Sequence, residues 1–183
     1  MKTEYRFAQA LKVMMSEKPL EEISVLSLCR KCHVNRQTFY YHFHDIYDLL
    51  TLVFLNEKIE NINDAKNFKE MIISTYEYYD KNRKFIDASI SSAGKDLVQE
   101  FFFNNYYQTI YNILNKYETS SLVSVQNKKN VARFYASAFS YSTVYYLISY
   151  NKKTLDGLLS SFGFVDQIDL AKTLRELRKK SAK

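Results

Sequence analysis

The chain has 183 residues, 46% of them apolar and 16% aromatic, with 3 Gly, 1 Pro and a formal charge of +6. That length allows one domain or two small ones with a sizeable core, and so few breakers argue for long helices joined by short connections. No run approaches the roughly 18 apolar residues of a membrane span, and no apolar signal segment follows Met1, so a cytoplasmic protein with reduced thiols is expected. The excess of positive charge suits an anionic partner, but it is unevenly placed. Residues 1–43 carry seven bases and four acids, whereas residues 172–183 carry six bases and one acid. The basic tail complements the dipole of a closing helix, and a solvated helix end accounts for it.

Residues 3–16 read as a first helix. Phe7, Leu11 and Met14 form its apolar stripe, with Ala10 and Met15 at the edges. Lys18-Pro19 ends it, because proline disfavours helix in the residue before it. Val25, Leu28, Cys29 and Cys32 then fall at i, i+3, i+4 and i+7, one face of a second helix. Ser24 stands where a side-chain oxygen caps free N–H groups. The chain breaks at His33-Val34. Asn35 offers another cap, and Phe39 and Phe43, four apart, give a third helix its buried side. The rest of that helix is Arg36, Gln37, Thr38, Tyr40, Tyr41 and His42, a set of donors, acceptors and planar rings. Asp45 is expected to cap a fourth helix running to about Ile62, with Tyr47, Leu50, Phe54 and the Lys58 stem along one side. The polar segment 61–67 sets a domain boundary, giving domains 1–62 and 63–183.

Beyond it the pattern predicts helices over 68–80, 84–90, 95–117 and 128–150, a helical turn at 155–159 and a last helix over 165–180. Phe68, Met71, Ile72, Thr75 and Tyr79 mark the buried side of the first of these. Leu97, Phe101, Tyr107, Ile110 and Leu114 are expected inward on the third. Ser91 to Gly94 and Ser160 to Gly163 break the chain, and 118–126 is a Ser-rich connection. No fixed-period repeat and no strand-like alternation is present.

A helix that buries one face and offers polar groups on the other is what a helix-turn-helix unit needs. Residues 23–43, continuing through His44 to Leu50, resemble the DNA-binding segment of the TetR family of transcriptional regulators. Val34 to Tyr40 and His42-Phe43 carry the likeness, which covers roughly the first third of the chain. Two positions depart from the family pattern. His33 stands where the turn usually has Gly, which requires φ > 0. Ile46 stands where a phosphate-touching Lys usually opens the next helix. The resemblance implies an all-α fold: a three-helix helix-turn-helix domain plus a connecting helix, then a helical ligand-binding and dimerisation domain. Arg36 then suits guanine O6/N7, Gln37 suits adenine, and Thr38 a base or a thymine methyl. Tyr40, Tyr41 and His42 suit phosphates, and Ser24 completes the DNA-binding set.

Asn82 to Phe85 and Phe134 to Phe139 resemble the C-terminal domain of a TetR subgroup that includes regulators of dihydroxyacetone kinase operons. The family pairs its last two long helices across a two-fold axis. That implies a homodimer with Phe134, Tyr141, Tyr145, Leu170, Leu174 and Leu177 between subunits, and a palindromic double-stranded operator. An aromatic-lined effector pocket is implied as well, with Tyr79, Phe103, Tyr107 and Tyr141 as its expected lining. The expected function is a homodimeric repressor released from DNA by a small-molecule effector. The alternative is an activator whose C-terminal domain docks a partner protein.

Cys29-Arg30-Lys31-Cys32-His33 is formally a haem-attachment string. Both cysteines fall on the apolar face of a helix, however, where a free thiol behaves as a small buried hydrophobe. No metal or cofactor is expected. Nucleophile elbows, zinc-protease motifs and phosphate-binding glycine loops are missing, so no enzyme is expected either.

Overall fold

The computed structural model describes residues 3–181, and these contain α-helices and short 3-10 turns but no strand. The chain divides into two compact units, Met1–Lys58 with Lys81–Phe101, and Ile59–Asp80 with Phe102–Lys183.

In the first unit, α1 (Thr3–Met15), α2 (Val25–Lys31), α3 (Arg36–His42) and α4 (Ile46–Asn56) follow in close order. Phe7, fully buried, is the hub. Its ring meets Phe39 edge-on at 5.3 Å and Phe43 at 6.0 Å, and those two rings lie 5.5 Å apart. Such contacts add roughly 0.5–1.5 kcal/mol each beyond area burial. Arg6 and Cys32 clasp α1 to the end of α2: the guanidinium donates to the Cys32 carbonyl, and the thiol donates back to the Arg6 carbonyl. A fourth helix contact comes from Phe54, stacked on Phe85 of α6 (Arg83–Ile90) at 5.3 Å. Gly94 packs closely where it stands: a Cβ there would lie 2.8 Å from Leu50 Cδ2 and 3.2 Å from the Ser89 carbonyl oxygen, so a larger residue would make the Leu50 side chain shift.

Two expectations for α4 are corrected. The helix ends at Asn56 instead of Ile62, because Glu57 takes extended backbone (φ −71°, ψ 147°) and binds Lys12 Nζ at 2.6 Å. The buried side is Leu49, Leu50, Val53 and Phe54, which leaves Tyr47 41% exposed.

The second unit holds α5 (Phe68–Lys81), most of α7 (Lys95–Asn115), α8 (Val125–Ser149), α9 (Leu155–Ser161) and α10 (Leu170–Ser181). Phe139 gathers its core, touching Phe68 at 4.8 Å, Phe162 at 5.1 Å and Tyr106 at 6.2 Å. Of the five residues expected inward on α7, Leu97, Phe101, Ile110 and Leu114 are buried, and Tyr107 is the exception. Tyr106 is fully buried in its place, and Tyr107 is half-buried. The Tyr106 hydroxyl lies 2.9 Å from Thr143 Oγ1, so the ring fills the core without orphaning its polar end. Lys128, also buried, donates to Asn115 Oδ1 at 2.7 Å and to Ser120 Oγ at 3.1 Å, which ties the start of α8 to the end of α7.

Caps set three helix starts, two of which differ from expectation. Ser124 accepts from the Asn127 N–H, so α8 starts at Val125, before Lys128. Thr154 accepts from Gly157 N and caps α9 at the expected Leu155, and the helix runs on to Ser161, past the expected Leu159. Asp169 accepts from Lys172 N at 2.8 Å, so the last helix opens at Leu170, and residues 165–167 form a separate 3-10 turn.

Burial raises the Tyr106 pKa from 10 to about 12. The unfolded chain therefore loses this proton first. Its contribution to stability is complete below pH 10, falls as pH rises from there, and is gone above pH 12, a loss on the order of 2–3 kcal/mol. Tyr106→Phe keeps the ring and removes the proton. Urea midpoints measured against pH should then decline less steeply between pH 10 and 12 than for the wild type; equal slopes would place the alkaline loss elsewhere.

Candidate nucleic-acid interface

Local chemistry sets both helices of the motif. Ser24 accepts from the Ser27 N–H at 3.1 Å while the Ser27 hydroxyl accepts from Ser24 N at 3.0 Å, a reciprocal cap on α2. At the turn His33 has φ 51°, the left-handed conformation its place in the motif demands. Asn35 Oδ1 accepts from both Thr38 N, at 2.8 Å, and Thr38 Oγ1, at 2.9 Å, and so starts α3. The Cys29 thiol donates to the Asn35 carbonyl at 3.5 Å, which fixes the same residue from beneath.

Helix α3 has one inner side and one outer side. Phe39 is fully buried and Phe43 nearly so, whereas Tyr40 is 59% and Tyr41 85% exposed. Arg36 and Gln37 are exposed too, with no hydrogen-bond partner among the described residues. Thr38 is half-buried, and its proton is committed to the cap. His42 is half-buried with Nδ1 3.3 Å from Glu4 Oε1 of α1. Ser24 is exposed, and its hydroxyl oxygen serves the α2 cap. Of the seven residues expected to meet DNA, Arg36, Gln37, Tyr40 and Tyr41 form one outward surface. Ser24 and Thr38 hold helix starts, and His42 is tied to α1. Ile46 is half-buried, while the neighbouring His44 and Tyr47 are exposed and polar at their tips. Sequence periodicity had put Tyr47 in the core; its hydroxyl was the missed signal.

Both thiols are buried, and burial raises the pKa of each above the usual thiol value. For Cys29 the Arg36 charge opposes that shift, and for Cys32 the Arg6 charge does. Their protons serve backbone carbonyls, the role of packed side chains. Among the described residues no three His, Cys, Asp or Glu gather as a metal site would need, and no helix is long and apolar enough to cross a membrane.

The second unit separates the residues expected at an interface. On α8, Phe134 is 70%, Tyr141 61% and Tyr145 58% exposed, and Ile148, unforeseen, is 50% exposed. Spaced by seven, four and three, they form one stripe, with Tyr141 stacked on Tyr145 at 6.3 Å. Leu170 and Leu174 are 5% and 0% exposed and lie in the unit's own core, whereas Leu177 is half-buried. Of the expected pocket lining, Tyr79 is 1% exposed, and Phe103 and Tyr107 are a half-buried pair stacked at 6.1 Å. Tyr141 sits on the surface, not around an enclosed space.

A regulator built on a helix-turn-helix unit with an all-helical second unit is the class these features define. Residues 66–158 match the family model described as the transcriptional regulator C-terminal region of TetR-type proteins. The chain belongs to the TetR family of transcriptional regulators. It is 30% identical over 86 residues to the HTH-type dhaKLM operon transcriptional activator DhaS of Lactococcus lactis subsp. lactis (strain IL1403). That match spans 45% of this chain and 46% of the relative, so less than half of the relative's length is compared. A solved structure titled dihydroxyacetone kinase operon activator DhaS superposes with a TM-score of 0.58 and 22% identity, covering 97% of this chain and 96% of that one. This likeness establishes a shared all-helical fold.

The left-handed turn residue is a built-in cost. A non-glycine residue in that region loses on the order of 1 kcal/mol. His33→Gly should therefore raise stability by up to about 1 kcal/mol, offset in part by glycine's greater unfolded freedom, and Asn35→Ala should lower it by about 1 kcal/mol through loss of the cap. Both are read as shifts in the urea midpoint at constant m-value, and a His33→Gly protein less stable than wild type would contradict the strain argument.

Proposed function

We propose that this protein is a sequence-specific regulator that reads double-stranded DNA with α3 and works as a homodimer on a palindromic operator in the cytoplasm. One observation carries the reading: Arg36 and Gln37 stand exposed and unpartnered on the helix whose Phe39 is fully buried. A major groove admits such a helix, and a guanidinium and an amide are the groups that read guanine and adenine edges. Tyr40 and Tyr41 contribute phosphate contacts. His44 and Tyr47 take over the backbone contact that a lysine at position 46 would make. Ser24, Thr38 and His42 hold the motif in shape.

Two copies pair through the α8 stripe of Phe134, Tyr141, Tyr145 and Ile148. Four large apolar side chains at least half exposed along one helix favour a covered face over a solvated one. Pairing lets two recognition helices meet successive grooves, about 34 Å apart or a multiple of that. The sign of control is a second reading. The sequence resemblance suggests release-type repression by an effector held in the second unit. The curated relative is described as an activator. We favour activation on that ground. Deleting the gene and following its target promoter decides between them: transcript falls for an activator and rises for a repressor.

Binding to the palindrome beside its own gene tests the DNA reading. Arg36→Ala should weaken the palindrome by about 1–3 kcal/mol and relax discrimination at one base pair. Tyr40→Ala should weaken all duplexes alike and leave the salt slope unchanged, because an uncharged phosphate contact releases no counterion. Equal binding of wild type and both variants to any duplex would overturn the proposal. Sedimentation of Tyr141→Glu, with a charge set in the stripe, should show monomer where the wild type shows dimer.

A further inference from the structure

The first unit has a feature that DNA reading does not use: a groove of about 460 Å³ between α1 and α4. It exists because Ala8 is small where the two helices meet, and Ala8 and Val53 form a buried apolar floor. Tyr5, half exposed, makes one wall. The polar groups around it are unequal. At one end Lys12 and Glu57 satisfy each other at 2.6 Å, so the groove's lone ammonium is spoken for. At the other end stands the Glu4 carboxylate, with His42 Nδ1 at 3.3 Å. Between them lie two amides. Asn56 Nδ2 donates within its own helix to the Leu52 carbonyl at 2.8 Å, leaving Oδ1 as an acceptor. Gln9 is exposed and has no hydrogen-bond partner among the described residues.

A carboxylate, two amide oxygens and an aromatic ring around a small apolar floor are complementary to a donor-bearing cation with an apolar body. An anion would find the lysine already engaged. We propose that this groove binds a small organic ammonium ion. Its N–H groups face Glu4 and the amide oxygens of Gln9 and Asn56, and its body lies over Tyr5 and Ala8. Because Glu4 also holds His42 at the end of α3, a cation on Glu4 competes with that contact and opposes DNA binding. This coupling rests on the DNA reading above, whereas the site itself does not.

The test is calorimetric titration of the full chain with benzylammonium chloride, using benzyl alcohol and benzoate as uncharged and anionic controls. Benzylammonium should saturate one site at millimolar concentration or below, with both controls at least about tenfold weaker. Glu4→Gln and Tyr5→Ala should each weaken it at least about tenfold. Both side chains are about half exposed, so unchanged circular dichroism melts will show intact folds. Benzyl alcohol binding as well as the cation, Glu4→Gln binding like wild type, or no saturation by about 10 mM would overturn the site. Operator affinity should fall as benzylammonium saturates. A saturable site with unchanged operator affinity would overturn the coupling alone. A chain that binds the cation but no DNA would leave the site standing and sink the DNA reading.

Discussion

The recognition surface depends on three phenylalanine rings. Phe7 on α1 holds Phe39 and Phe43 edge-on, and once those two rings are inward the rest of α3 has no choice of face. A helix places residues three and four apart on one side. Burying position 39 therefore turns 37 and 41 to the far side and leaves 40 on the flank, while Arg36 is exposed because it is the first residue of the helix, with no preceding turn to cover it. Truncating such a ring commonly costs 3–5 kcal/mol, a large fraction of the stability of a small unit. A fully buried residue of α1 thus governs where the exposed groups of α3 stand.

How much of this was legible in the residues follows from how local each cause is. The caps of Ser24, Asn35 and Asp45 act within three residues, so sequence alone placed the starts of α2, α3 and α4. The left-handed turn at His33 was legible through the family resemblance, whose pattern usually has Gly at that turn. The end of α4 was not, because it is set by Glu57 reaching Lys12, a partner 45 positions away. Tyr106 and Tyr107 could not be told apart either. Adjacent tyrosines on an aromatic helix differ only in which one finds Thr143 and Phe139 behind it. Leu170 and Leu174 read as an interface stripe because an amphipathic helix shows the same pattern whether it packs on its own chain or on another.

Excess aromatic content resolves into two populations with different physics. Phe139, Phe68, Phe162 and Tyr106 meet one another and close the second unit's core, and the single hydroxyl among them is hydrogen-bonded. Phe134, Tyr141 and Tyr145 lie on the same helix α8 as Phe139 but point the other way. One helix thus presents apolar rings on two sides. A helix that is apolar nearly all round is stable in water only when both sides are covered. The intramolecular core covers one, and the proposed pairing of two copies would cover the other.

His42 shows why a list of polar residues on a recognition helix overstates what is free to read DNA. Its Nδ1 faces Glu4, so only the far edge of the ring remains for a phosphate. Thr38 has likewise given its proton to Asn35. The groups left free are a guanidinium, an amide and two phenols, and only the first two carry the donor and acceptor pairs that distinguish one base from another. Under the proposed DNA reading, sequence discrimination concentrates in the first turn of α3, next to the cap and the strained turn that fix its position. Errors of placement there are costly, since a bidentate contact tolerates little displacement. That is a physical reason for the reciprocal clasp of Arg6 and Cys32 beneath the turn: it holds the end of α2, and through Cys29 and Asn35 the start of α3, against the same helix that carries Phe7.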